Sequence, residues 1–250
     1  MPAELGWAAG EKGGHTVGLI SYEVADHVAV LTMDSGENRF NPPFLESFHS
    51  VLNEIEEGTE ATVLVVRSAH EKIFSNGIDL EWLVSALKSG DKETTRRFLH
   101  QLNDLLKRVL LYPMITVAAI NGHAFAGGAV LCCAFDFRFM RSDRGFFCLP
   151  EVDLQIPFLP GMVALLRKAI PEWLLPELML TGRRLTADEC QKGRIVKKAC
   201  HVDQLMDEVI AFAREQNKAR KIVSELKMRA YGHIVRIMES EDVRHIQGEI

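Results

Sequence analysis

A glutamate set among apolar residues and two glycine-bearing turns are the parts of this chain whose residue types suit chemistry. Glu151 lies between Pro150 and Val152, with Phe146, Phe147, Leu149, Leu154 and Phe158 close by in sequence. Water-poor surroundings penalise a charged carboxyl and raise its pKa, which makes a glutamate a useful base near neutral pH. The plainer reading is an exposed glutamate at a strand end. Asp153 is the fallback carboxylate, because alternation along a strand would put it on the same side as Glu151. The two turns are Ser75-Asn76-Gly77-Ile78-Asp79-Leu80 and residues 122–128, which carry Gly122, Gly127 and Gly128. Glycine allows tight turns and close approach of a ligand, and a helix start leaves amide N–H groups without partners. Two such amides aimed at one point form an oxyanion hole, which stabilises charge developing on a carbonyl oxygen. Either turn alone is an ordinary strand-to-helix connection.

Other chemistries find little support. Gly127-Gly128 is not followed by Lys-Ser/Thr, so there is no P-loop, and the G-x-G-x-x-G spacing of dinucleotide sites is absent. Ser75 lacks a nucleophile-elbow setting. His123, inside the second turn, reads as a loop or packing histidine, and no His/Asp/Glu grouping has metal-ligand spacing. Cys132, Cys133, Cys148, Cys190 and Cys200 are odd in number, include an adjacent pair and form no C-x-x-C. Buried reduced thiols are the expectation, with no disulfide framework or zinc site.

The elements that must position these residues alternate between strand and helix. Residues 22–34 alternate apolar and polar positions around Asp26-His27, as a hairpin does. Phe44, Phe48, Val51, Leu52 and Ile55 share one helical face, and Gly58 follows as the stop. Residues 62–66 and 115–120 read as buried strands, and between them a helix capped by Asp91 carries Phe98, Leu99, Leu102, Leu105, Leu106 and Val109. Pro113 breaks that helix. The second glycine-bearing turn runs into a helix ending near Ala134, and residues 135–140 and 146–149 look like strands. Pro160 suits a helix start, and Thr186-Ala187-Asp188-Glu189 has capping-box spacing. From Val202 the chain reads as helix, with breaks near Asn217 and Gly232. Repeated strand-helix-strand units predict an α/β fold with parallel strands and right-handed crossovers.

The chain has 250 residues, enough for one large domain, with 47% apolar and 25% charged residues. A net charge of −5 argues against a nucleic-acid partner. No apolar run approaches the ~20 residues of a membrane helix. The first residues lack signal- and transit-peptide character, and Gly248-Glu249-Ile250 is not a peroxisomal tripeptide. The expected compartment is the cytoplasm.

The motifs, taken together, resemble the crotonase (enoyl-CoA hydratase/isomerase) superfamily. The residues that carry the resemblance are Phe74-Ser75-Asn76-Gly77-Ile78-Asp79-Leu80, then Ile120-Asn121-Gly122-His123-Ala124-Phe125-Ala126-Gly127-Gly128, then Asp136 and Pro150-Glu151-Val152. Thr181-Gly182-Arg183-Arg184-Leu185-Thr186-Ala187 and Gly193-Arg194-Ile195-Val196 extend it, so that it spans residues 20–205. The resemblance implies a crotonase-like spiral of ββα units with a C-terminal helical trimerisation region. The expected division is a flexible tail over residues 1–18, an acyl-CoA-binding core over 19–200 and a helical region over 201–250. It implies an acyl-CoA thioester as ligand, with coenzyme A part of the substrate and no separate cofactor or metal. It implies a homotrimer or a dimer of trimers.

By the same resemblance, the amides of Ile78 and Gly127 hold the thioester oxygen. Phe74, Ser75, Asn76, Gly77, Asp79, Leu80 and Gly128 would line the substrate, and Arg39 would meet the phosphates. Hydratases of the superfamily use two carboxylates. The second matches Glu151, but the first falls on Val130, and no carboxylate occurs from Ala126 to Phe135. Water addition needs proton transfer at two carbons, whereas a 1,3 proton shift needs one base. The chain is therefore more similar to single-glutamate Δ3-Δ2 enoyl-CoA isomerases. The alternatives are a hydratase or other crotonase-type enzyme, or a non-catalytic acyl-CoA-binding protein.

Overall fold

A computed structural model describes residues 15–248. Strands β1 (His15–Val17), β2 (Ile20–Ala25) and β3 (Val28–Met33) form an antiparallel meander, and β4 (Arg39–Phe40) precedes helix α1 (Pro42–Gly58). There follow β5 (Val63–Ser68), β6 (Ile73–Ser75), β7 (Gly77–Ile78), α2 (Leu80–Lys88), α3 (Lys92–Leu110) and β8 (Ile115–Ile120). The next elements are β9 (His123–Phe125), α4 (Gly127–Ala134), β10 (Phe137–Arg141), β11 (Phe147–Cys148), α5 (Glu151–Leu154) and α6 (Pro160–Ala169). The chain continues through α7 (Leu175–Thr181), α8 (Ala187–Lys192), β12 (Lys198–Cys200), α9 (Val202–Arg214) and α10 (Arg220–Ile237). A π turn (Met238–Asp242) then leads into α11 (Val243–Gly248).

One seven-stranded sheet, in the order β1-β2-β3-β5-β8-β10-β12, forms the centre, and it is parallel from β3 onward. The two-residue period of its strands sorts side chains to opposite faces. Val28, Val30, Val63, Val65, Val117 and Phe139 meet Leu205, Val209 and Ala213 of α9 on one face. Ala29, Leu31, Leu64, Val66 and Ala118 meet the aromatic face of α1 and the apolar face of α3 on the other. Burial on both faces explains the unbroken apolar runs of β5 and β8.

A second, three-stranded sheet, β11-β9-β6, positions the site. Both outer strands run parallel to β9, so three carboxyl ends point the same way. Beyond β6 comes Ile78, beyond β9 comes Gly127, and beyond β11 comes Glu151. Asn38 pins this sheet to the larger one, its Nδ2 donating to Ser68 Oγ at 2.7 Å and to Phe74 O at 2.9 Å.

The structure corrects several sequence expectations. Residues 15–17, assigned to the tail, form β1; the rest of that tail up to residue 14 lies outside the described residues. No break occurs at Gly232, which is buried within an unbroken α10. The break near Asn217 is present, because α9 ends at Arg214 and α10 starts at Arg220. Helix α2 had no counterpart in the sequence reading. The capping box at Thr186 is complete, with Glu189 returning a bond to the Thr186 amide at 2.8 Å.

Candidate active site

Glu151 is the first residue of the short helix α5, not a strand residue. That correction decides the fallback carboxylate. Two residues along a helix turn the side chain by roughly 200°, so Asp153 faces away from Glu151. Asp153 is exposed and reaches toward Gly182, where an added Cβ would lie 2.5 Å from its Oδ2. Gln155, in the left-handed region at φ 59°, ends the turn, and its amide donates to Glu151 O.

The Glu151 side chain is 8% exposed, and its Oε2 has no hydrogen-bond partner. Burial pushes its carboxyl up to about 7, while its own backbone amide pulls weakly the other way. It opens onto a cavity of about 280 Å³ together with Ile78 and Gly127. The remaining walls are chiefly apolar, with Leu83 and Leu87 from α2, Leu99 from α3, Phe158 before α6, Met162 within it and Ile246 from α11; Thr95 and His245 are the polar residues among them. No other carboxylate lines this cavity among the described residues.

Backbone geometry aims two amides at the same space. The amide of Asp79 donates to Phe40 O at 3.0 Å, and alternate residues of a strand present their N–H groups to opposite sides. The Ile78 amide therefore points away from β4. The Gly127 amide belongs to the first turn of α4, where helical amides have no partner within the helix. The two segments touch through glycine. At Gly77, φ is +73°, and a Cβ there would lie 2.5 Å from the Gly127 nitrogen. A Cβ on Gly128 would lie 2.3 Å from Ser75 O. Ala126, just before α4, is held at φ 51°, a strained conformation for a residue with a Cβ. Its amide donates to Cys148 O at 3.0 Å, which ties the start of α4 to the strand that leads to Glu151.

At the far end of α4, Lys168 donates to Phe135 O at 2.7 Å and to Cys133 O at 3.1 Å, and Arg138 donates to Phe135 O at 2.8 Å. Cations at this end complement the helix dipole, whose positive end faces the cavity. Asp136 is structural: it accepts bonds from Thr116 and pairs with buried Lys227 at 2.6 Å. All five cysteines are buried and unbridged.

The residues expected to line the substrate divide into two groups. Ile78, Gly127 and Glu151 meet at one cavity, with Gly77 and Gly128 packed directly behind them. Phe74 and Ser75 instead turn fully inward; Ser75 Oγ donates to Asn38 O at 2.7 Å and accepts from the Gly77 amide at 3.1 Å. Asn76 bonds Glu37, and Asp79 caps α2. Leu80 borders a separate shallow groove with Glu81 and Val84. Arg39 sits across from Gly77, but its guanidinium pairs with Glu37 at 2.6 Å. Val130 is buried, and His123 packs against Phe125 and Phe146. The cavity walls from α2, α3 and α11 were not found from sequence. The α2 signal was present, as Asp79 followed by Leu80, Leu83, Val84 and Leu87 at helical spacing; the contribution of α11 had no local signal.

Comparison with known proteins matches this architecture. The family described as enoyl-CoA hydratase/isomerase matches residues 23–249. The chain is 33% identical over 198 residues to enoyl-CoA delta isomerase 2, peroxisomal, of Arabidopsis thaliana, covering 76% of this chain and 81% of that one. It is 34% identical over 197 residues to a putative enoyl-CoA hydratase of Thermus thermophilus, covering 77% and 75% respectively. A crystal structure of an enoyl-CoA hydratase/isomerase family protein from a Pseudomonas species superposes with a TM-score of 0.85 at 21% identity, covering 93% of this chain and 98% of that one. Three parallel strand ends, two glycine-supported amides and one buried glutamate thus occur in a chain that belongs to the enoyl-CoA hydratase/isomerase, or crotonase, family of enzymes.

Proposed function

We propose that this enzyme moves the double bond of a 3-enoyl-CoA thioester to the 2-position, with Glu151 as the only proton carrier. The carrying observation is one buried carboxylate with a free oxygen, the sole carboxylate among the described residues that line a chiefly apolar cavity, beside two outward amides. Glu151 takes a proton from C2, and the electron pair moves toward the thioester oxygen. The Ile78 and Gly127 amides stabilise the charge that gathers there. The same carboxyl returns the proton at C4, and the double bond settles between C2 and C3. The shift is redox-neutral and needs no cofactor beyond the coenzyme A of the substrate. Two delta isomerases of Arabidopsis thaliana, each 33% identical, support this reading.

A hydratase is the second reading, favoured by the Thermus thermophilus relative's name. Against it, Val130 stands where a second carboxylate would be needed and is wholly packed in the core. The deciding experiment supplies 3-enoyl-CoA and 2-enoyl-CoA separately and identifies the products by NMR. Isomerised product from the first, with little 3-hydroxyacyl-CoA from the second, supports the isomerase; faster hydration than isomerisation overturns it.

The assembly that fits this reading is a homotrimer or a dimer of trimers. Ile222, Leu226 and Met228 of α10 are 58%, 61% and 54% exposed, an apolar set left uncovered in the single chain. The compartment that fits is the cytoplasm, in keeping with five unbridged thiols.

A further inference from the structure

The chain's own C-terminal segment closes part of the cavity. Ile234, Met238, Asp242 and Ile246 follow one another at four-residue steps, and none is more than 2% exposed. Four-residue steps drift around a regular α-helix by about 40° each. The wider i→i+5 winding of the π turn offsets that drift and keeps all four on the buried side. Asp242 is fully buried, and its carboxylate accepts from the Gly161 amide at 2.7 Å and from Asn103 Nδ2 at 2.9 Å. It thereby joins the segment to α6 and α3. Gly161 has no room for a side chain, since a Cβ would lie 2.3 Å from Met238 Cγ. Arg96 adds a second tie, donating to Gln247 O at 2.9 Å. Held in this way, Ile246 lines the cavity with Thr95 and Leu99 of α3, whereas Ile78 and Gly127 mark the thioester end.

We infer that Ile246 sets the acyl length this enzyme accepts, and that Asp242 is the positioning residue that holds it there. The inference rests on reading the cavity as the acyl site. Ile246 is one wall of this cavity of about 280 Å³, so a straight acyl chain entering from the thioester end has bounded room. The substrate class is therefore a straight-chain acyl thioester whose affinity stops rising at the length where the chain end reaches Ile246.

The test is calorimetric titration with saturated acyl-CoA thioesters from butanoyl to tetradecanoyl, which requires no turnover. Each methylene that enters the cavity raises affinity about fourfold, and the gain stops where the chain meets Ile246. Ile246→Ala moves that break outward to longer chains, and Ile246→Phe moves it inward. Asp242→Ala blurs the break. Asp242→Asn restores it, because its amide oxygen still accepts from Gly161 and Asn103 can turn its own amide to match. A break that stays put in both Ile246 variants overturns the inference, as does wild-type affinity independent of length. Failure to bind any member overturns the acyl-site reading and this inference with it. Length-dependent binding without isomerisation supports this inference and sinks only the isomerase.

Discussion

Glu151→Gln is expected to make the protein more stable and nearly inactive, with both effects set by pH. The carboxyl is held near 7 by burial, against an ordinary glutamate value of 4.5. Below pH 4.5 both the folded and the unfolded chain keep the proton, so the residue contributes nothing to pH dependence. Between pH 4.5 and about 7 the unfolded chain releases the proton and the folded chain retains it. The unfolded state is thereby favoured as pH rises, and the penalty is complete above about pH 7. The gap corresponds to roughly 3 kcal/mol. A glutamine keeps the shape and carries no charge to desolvate. Urea unfolding at pH 5, 6.5 and 8 should show the variant gaining on wild type as pH rises, by up to about 3 kcal/mol. Over the same range, wild-type kcat/KM for isomerisation should rise about tenfold per pH unit and level off above about 7. The variant should lose about 10²–10⁴ in rate. Identical pH dependence of stability in the two proteins, or an activity midpoint near 4.5, would refute the reasoning.

Three further outcomes follow from the packing. Gly77→Ala forces a side chain into the left-handed region and against the Gly127 nitrogen; thermal unfolding should register at least the ~1–2 kcal/mol of the backbone term, with isomerisation lost. Lys227→Met leaves the largely buried Asp136 carboxyl without its cation, though with its bonds from Thr116, and urea denaturation should show a loss of about 3 kcal/mol, the low end for a broken buried pair. Leu226→Asp should convert the proposed trimer to monomers in sedimentation velocity while leaving the circular dichroism spectrum unchanged, because Leu226 is 61% exposed in the single chain.

The two-residue and 3.6-residue periods made the central sheet and its covering helices legible, since β5, β8, α1 and α3 each carry their burial pattern in their own residues. The glycine turns were legible for the same reason: Gly77 and Gly128 answer to close contacts that exclude a Cβ. Glu151 is legible in the sequence as a residue but not as local structure, because a four-residue helix is too short to leave a periodic signal. The inward turn of Phe74 and Ser75 was hidden because it depends on bonds to Asn38, more than thirty residues earlier in the chain. Ile246 and Thr95 share a cavity although about 150 residues separate them in sequence, and no window on the sequence links them. The Arg39–Glu37 pair spans only two residues, but an exposed ion pair leaves no pattern in the sequence.

Helix α4 has all eight residues buried, from Gly127 at the cavity to Ala134 at the opposite end. At 1.5 Å per residue it is about 12 Å long, longer than the roughly 8 Å Debye length in cellular salt, but it is packed in protein, with Gly127 lining the cavity, so screening of its field is limited. The carbonyl ends at Cys133 and Phe135 lie against Lys168, whose ammonium burial has drawn down to about 8. The proposed reaction chamber therefore has an electrical terminal one helix length away, at the far end of α4. On the proposed mechanism, substitutions at that end would retune proton transfer without meeting the substrate, so the chamber's shape and the strength of its field would be open to separate selection.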